Sequence, residues 1–133
     1  MINKDIIRLA SNTSNVGLKN KYSHKISLKN STCGDKITLE LIADKKKISS
    51  MKYETISCVY CEASASLLSR KIKNVKLKDI KNDLITLKKM SLKKNIKIPK
   101  RLSDFKKLLN SDNFNRFKCI FLPIDAVLKA LKL

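Results

Sequence analysis

Three cysteines and one aspartate are the residues of this chain whose types could do chemistry together. Cys33 and Asp35 belong to the segment Asn-Ser-Thr-Cys-Gly-Asp, whereas Cys58 and Cys119 lie far downstream in short segments of their own. Three thiolates and one carboxylate make a complete tetrahedral ligand set for zinc or iron. These four residues therefore indicate metal or sulfur chemistry.

Thiolates, and not thiols, bind metals and attack sulfur, so a functional cysteine needs surroundings that lower its pKa. The pattern predicts Cys58 where a strand ends and a helix begins, and Cys119 a few residues before a helix that Pro123 opens. Both positions lie near the positive end of a helix dipole, which favours an anion. Gly34 allows the tight turn through which Asp35 can point to the same centre as Cys33.

A buried and inert role is the competing interpretation for each cysteine. Cysteine is among the most often buried residue types, and on residue types alone the ligand and core roles are about evenly balanced. The pair Cys58-x-x-Cys61 is a weak redox or zinc signal because the chain has no second such pair. We assign Cys61 to packing, and we assign the single histidine, His24, to a strand and not to the ligand set.

Length and composition predict one domain that spans residues 1–133. A chain of 133 residues with 43% hydrophobic residues can bury an ordinary core without disulfides. No stretch approaches the roughly 20 apolar residues of a membrane span, and the N-terminus lacks the apolar region of a signal peptide. We therefore expect a cytoplasmic protein whose thiols stay reduced and which does not act at a membrane.

The formal net charge of +19 raises the question of nucleic-acid binding. Only Arg8, Arg70, Arg101 and Arg116 are arginines, the chain has no Trp, and aromatic residues make up 5% of it. Arginine forks and stacking aromatics are what phosphate and base recognition favours. We expect a solvated lysine coat and no specific nucleic-acid partner. The alternative is a basic protein that binds nucleic acid or an acidic partner and uses its cysteines structurally.

The hydrophobic pattern predicts an α+β fold in which strands come first and helices follow. Alternating residues indicate a small three-stranded antiparallel sheet, covered on one side by helices. The predicted strands are 22–29, 36–43 and 48–57. The predicted helices are 1–10, 58–72, 78–93, 101–110 and one from Pro123 towards Leu131.

The local settings of the cysteines resemble those of the U-type iron–sulfur cluster assembly scaffold family, which includes IscU, the N-terminal domain of NifU, and SufU. The resemblance extends from about Ile6 to Leu131. Its motifs are Cys33-Gly34-Asp35 running into a strand, Cys58 followed by the small-residue run Ala-Ser-Ala-Ser, and Arg-Phe-Lys-Cys119 before a closing helix. Three motifs in this order are more specific than any one of them.

The resemblance implies that Cys33, Asp35, Cys58 and Cys119 hold either zinc or a [2Fe–2S] cluster. It implies that Cys33 accepts sulfur from a cysteine desulfurase of the SufS or IscS type. Apo iron–sulfur proteins or other assembly factors would then be the recipients. The protein would be a non-enzymatic scaffold or a zinc-dependent sulfurtransferase, and a degenerate scaffold that no longer docks is a third possibility.

Two departures from IscU favour the SufU-like branch of the family, and with it zinc. Lys118 stands where IscU-type scaffolds carry a histidine before the third cysteine. The long segment 70–110 between the second and third cysteines is similar to an insertion of SufU-like proteins.

Overall fold

A computed structural model describes residues 4–31, 33–89 and 97–132. Its sheet has three antiparallel strands in the order β1-β2-β3. The predicted meander is therefore confirmed. The strands are His24–Lys29 (β1), Lys36–Ala43 (β2) and Ile48–Ile56 (β3).

Alternation along β2 buries one face of the sheet. Ile37, Leu39 and Leu41 are fully buried, as their spacing of two predicts. Along β1 the side chains alternate between half-buried and exposed, so this outer strand covers less of the core. Burial of one face fixes the register, because a slip by one residue would move the whole apolar set into solvent.

Four α-helices accompany the sheet within the described part of the chain, and two 3-10 helices precede the last of them. The α-helices are Lys4–Ser11 (α1), Val59–Lys71 (α2), Leu77–Lys89 (α3) and Phe117–Ala130 (α4). The helices predicted over 1–10, 58–72 and 78–93 correspond to the first three. Residues 1–3 and 90–93 of those predictions lie outside the described residues.

The segment predicted as a helix over 101–110 is a 3-10 helix, Lys100–Lys107. Its backbone departs from helical geometry at Leu102, and bonds such as Leu108 N–H to Phe105 C=O span three residues. The predicted apolar stripe is nonetheless buried, including Phe105. Anchoring by these side chains, and not helical propensity, holds this short segment.

The prediction that Pro123 opens the last helix is wrong. Helix α4 begins at Phe117, directly after the 3-10 helix Ser111–Arg116, and Pro123 lies inside it. Proline there has no N–H to donate to the Cys119 carbonyl, a loss that costs about 3 kcal/mol in a helix interior. Nearly all residues between Cys119 and Leu128 are buried, so tertiary packing offsets that cost.

Helices α2 and α4 pack against each other and against the sheet, and α1 packs on α2. The run Ala63–Ser66 is buried throughout, as expected for small residues at a close helix contact. Among the residues that the structure describes, no helix is both long and apolar enough to cross a bilayer.

Candidate metal and sulfur site

The strand register places two of the candidate segments at the same end of the sheet. Lys36 of β2 pairs with Lys29 of β1 on one side and with Ile56 of β3 on the other. The turn that carries Cys33 therefore lies beside the connection from β3 to α2, which carries Cys58.

Two backbone hydrogen bonds close the turn between β1 and β2. The N–H of Asn30 donates to the Asp35 carbonyl at 2.7 Å, and the N–H of Gly34 donates to the Asn30 carbonyl at 2.8 Å. Gly34 has a φ of +74°, in the left-handed region that glycine adopts at little cost. This conformation lets Cys33 and Asp35 approach one centre, as predicted.

Cys33, Asp35 and Cys119 form a compact group at this end of the sheet. Their ligand atoms all lie within 4.8 Å of one another, and the two Sγ atoms are 3.3 Å apart. Tetrahedral zinc with bonds of about 2.3 Å would hold two sulfurs about 3.8 Å apart. The donor types and their spacing therefore fit a zinc or iron ion with only small adjustments.

Cys58 joins the group through Asp35. The Asp35 carboxylate accepts from the Cys58 backbone N–H at 3.1 Å and from its Sγ at 3.4 Å. Cys58 is the residue that precedes α2, so the prediction that it stands between a strand and a helix is confirmed. Cys58 thus contacts the group through Asp35, but it lies outside the set of ligand atoms within 4.8 Å of one another. All four cysteines of the chain are free thiols.

The Asp35 carboxyl is only 5% exposed, yet its pKa is lowered. Burial by itself raises this pKa, but hydrogen bonds from the Cys119 and Cys33 thiols, and from Cys58, outweigh the burial. The carboxyl is therefore ionised near neutral pH and provides negative charge to the centre.

Cys119 lies in the first turn of α4 and not in a loop before a helix, which corrects the predicted setting. Its pKa is raised, first by burial and then by hydrogen bonds with Cys33 and Asp35. The expected lowering by a helix N-terminus does not prevail, because a carboxylate and other thiols surround this sulfur. Burial and the acidic neighbours therefore disfavour the thiolate of Cys119, and a bound cation would favour it.

Cys61 is separate from the group. It is fully buried in the core, and burial raises the pKa of its thiol to about 12. A neutral, inaccessible thiol is neither a ready ligand nor a nucleophile. His24 lies at the opposite end of β1, with a ring nitrogen 2.7 Å from the Ser23 hydroxyl.

Ser64 is not among the residues predicted from the sequence, yet it links two segments of the site. Its buried hydroxyl donates to the carbonyl of Ile120 at 2.6 Å and so joins α2 to α4. Because Ile120 follows Cys119, this bond ties the third cysteine to the helix that begins after Cys58. The only signal in the sequence is a serine within a run of small residues.

A second unpredicted contact joins the N-terminal ends of α2 and α4. The Arg116 guanidinium lies over the Tyr60 ring, 5.5 Å from its centroid. Tyr60 belongs to the first turn of α2, and Arg116 precedes α4.

The chain matches the family model of the NifU-like N-terminal domain over residues 1–113. The chain belongs to this family. Cys33, Asp35 and Cys58 lie within the matched residues, and Cys119 follows them. A curated relative, the "Iron-sulfur cluster assembly scaffold protein IscU" of Thermotoga maritima, is 32% identical over 105 residues. The aligned residues cover 78% of this chain and 73% of that relative.

Solved structures share the fold of this NifU-like chain. A NifU-like N-terminal protein from Brucella abortus has a TM-score of 0.86 at 22% identity, with 98% of this chain and 91% of that chain covered. A putative iron–sulfur cluster assembly scaffold for the SUF system from Fervidobacterium islandicum has a TM-score of 0.85 at 23% identity, with 98% and 96% covered. The predicted family and fold class are thereby confirmed.

Proposed function

We propose that this protein is an iron–sulfur cluster assembly scaffold that accepts sulfur from a cysteine desulfurase. The observation that carries the proposal is the compact group of Cys33, Asp35 and Cys119, with Cys58 hydrogen-bonded to Asp35 beside it. Family membership and the IscU relative support it.

In this proposal the three thiolates and the Asp35 carboxylate hold the metal. When bound, zinc or iron would stabilise the thiolate of the buried Cys119, whose pKa is raised in the protein. We favour zinc as the resident ion, with a [2Fe–2S] cluster as the alternative occupant. Asp35 is a hard ligand among soft ones and makes the site more labile than a fourth sulfur would.

Cys33 is the proposed sulfur acceptor because its side chain is exposed, whereas Cys119 is buried and Cys58 is half-buried. The Cys33 thiolate attacks the outer sulfur of the desulfurase persulfide. The S–S bond of the donor breaks, a new S–S bond forms on Cys33, and the desulfurase cysteine leaves as a thiolate. No net oxidation or reduction occurs in this exchange.

The proposed partners are a cysteine desulfurase of the SufS or IscS type and the apo proteins or assembly factors that receive sulfur or clusters. A reducing cytoplasm is the proposed location, because the site needs free thiols. One domain over residues 1–133 is the unit that we propose carries the function.

Metal analysis of protein purified without added iron tests the ligand set. We expect about one zinc or iron per chain, lost when Cys33, Cys58 or Cys119 is changed to serine. Cys61→Ala is the matched control, since it removes a neighbouring cysteine outside the group and should retain the metal. Metal-free wild-type protein with tight nucleic-acid binding would instead support the structural role of the cysteines.

Desulfurase activity, measured with and without this protein, tests sulfur transfer. One outcome is that the protein stimulates the desulfurase, that Cys33→Ser abolishes this stimulation, and that no cluster absorption appears after anaerobic loading with iron and cysteine. This outcome would indicate zinc-dependent sulfur transfer. A stable cluster spectrum would select scaffolding. If the protein neither stimulates the desulfurase nor forms a cluster, it lacks the proposed function even though it folds.

A further inference from the structure

A cleft lies beside the candidate metal site, between the end of β1, helix α3 and helix α4. Its volume is about 490 Å³, within the range of about 300–1,000 Å³ that is usual for binding pockets. Ser31, two residues before Cys33, and Lys118, next to Cys119, both line it. We call it the basic cleft. Four exposed lysines line it, Lys29, Lys88, Lys118 and Lys129, and we call the more buried Phe117 and Phe121 its floor.

We propose that the basic cleft binds an acidic peptide segment of a partner protein, anchored by one apolar side chain. The occupant would lie next to Cys33 and Cys119. The inference concerns a surface outside the ligand set and does not depend on which metal the site holds.

The charge of the cleft is complementary to such a segment. Its one lining carboxylate, Asp125, is paired with Lys88 at 2.8 Å. Within the described residues, Lys29, Lys118 and Lys129 have no carboxylate partner, so three ammonium groups are available to an incoming anion. Charges at the rim of an interface mainly set the association rate and the choice of partner.

The apolar floor distinguishes this cleft from the lysine coat elsewhere on the surface. Phe117 and Phe121 meet edge to face, with ring centroids 6.2 Å apart, and Leu28 and Leu122 also line the cleft. Phe114, 63% exposed and 5.3 Å from the Phe117 ring by centroids, extends the aromatic row outward. A peptide with one apolar side chain between acidic residues would match this apolar floor and the lysines around it.

The same details favour a peptide over a nucleic acid. The two floor rings lie at 81° to each other, so they offer no flat platform on which successive bases could stack. No arginine lines the cleft, whereas bidentate recognition of phosphate favours arginine.

The test measures binding of a fluorescent peptide probe, with acidic residues on both sides of one phenylalanine, to the full-length protein. The double variant Lys29→Glu/Lys129→Glu reverses two charges of the cleft. Lys73→Glu/Lys106→Glu reverses two exposed lysines that do not line it, so both variants have the same net charge. A second probe carries alanine in place of phenylalanine, and a single-stranded DNA carries the same charge as the peptide.

We expect the cleft variant to weaken binding about tenfold or more, and the control variant about twofold or less. The alanine probe should bind more weakly than the phenylalanine probe. In an NMR titration, the amides of residues 28–31 and 117–129 should shift most. Equal losses in the two variants, equal affinity for the two probes, or DNA that binds more tightly than the peptide at the cleft would each overturn the proposal.

Cys33→Ser separates this inference from the proposed function. That variant removes the proposed sulfur acceptor and a metal ligand but leaves the lysines and the aromatic floor in place. Peptide binding should persist in it. If this variant loses peptide binding as well as its metal, the proposal that the basic cleft binds peptide independently of the metal site would be overturned.

Discussion

The Sγ atoms of Cys33 and Cys119 lie 3.3 Å apart, although 86 positions separate these residues along the chain. Cys33 belongs to the turn between β1 and β2, and Cys119 belongs to the first turn of α4. The packing of α4 against the sheet therefore brings together two thiols that are far apart along the chain.

Alkylation rates should separate the cysteines of the reduced, metal-free protein. At about pH 8 we expect iodoacetamide to modify Cys33 first, because it is exposed, and Cys61 last. The pKa of Cys61 is about 12, so its buried thiol stays protonated well above that pH. Peptide mass spectrometry over time measures the order. In Cys33→Ser the fast phase of alkylation should vanish. If Cys61 were modified as fast as Cys33, that result would contradict the burial of Cys61.

Asp35→Ala should slow metal release. In the proposed ligand set this substitution removes the one hard ligand, and we expect the remaining soft donors to hold zinc or a cluster several-fold longer. Transfer of the metal to a colorimetric chelator measures the rate. Asp35→Asn keeps the size and a hydrogen-bond acceptor for the Cys58 N–H, so it separates loss of charge from loss of this bond. Release at the wild-type rate or faster would rule out Asp35 as the source of lability.

Ser64→Ala should destabilise both the fold and the site. The lost bond leaves the buried Ile120 carbonyl without this donor, at a cost of about 1–3 kcal/mol in the free energy of unfolding. Urea denaturation measures this cost, and chelator competition measures metal affinity. Ser69→Ala is the control, since the Ser69 hydroxyl donates to the Ser66 carbonyl within α2. Both variants should lose stability, and only Ser64→Ala should lose metal affinity. Equal affinities would show that this link does not position Cys119.

Gly34→Ala should cost about 1 kcal/mol of stability, because its left-handed φ of +74° disfavours a side chain. Apart from its chain neighbours, no described residue has a heavy atom within 4 Å of an added Cβ, so the cost is conformational and not steric. Gly17→Ala is a matched control, with a φ of +108° and equally open space. Thermal unfolding and metal titration should show destabilisation in both variants but weaker metal binding only for Gly34→Ala. A normal metal affinity in Gly34→Ala would show that the turn does not need glycine to orient its ligands.

Much of the fold could be predicted because short-range patterns carry it. The alternation of Ile37, Leu39 and Leu41 and the change of period after Cys58 report burial directly, so the strands and α2 were predicted within about two residues. The start of α4 was not predicted, because Pro123 is a strong local signal that the packing of the helix overrides.

Residue types and motif order are local properties, so they were enough to indicate the chemistry and the family that the chain resembles. How these residues meet depends on the tertiary structure. It joined Cys119 to Cys33, placed Ser64 against Ile120, and buried Cys61 away from the group. It also reversed the expected pKa shift of Cys119, because such a shift is set by burial and by neighbours from other segments. The basic cleft likewise exists only where three distant segments pack together.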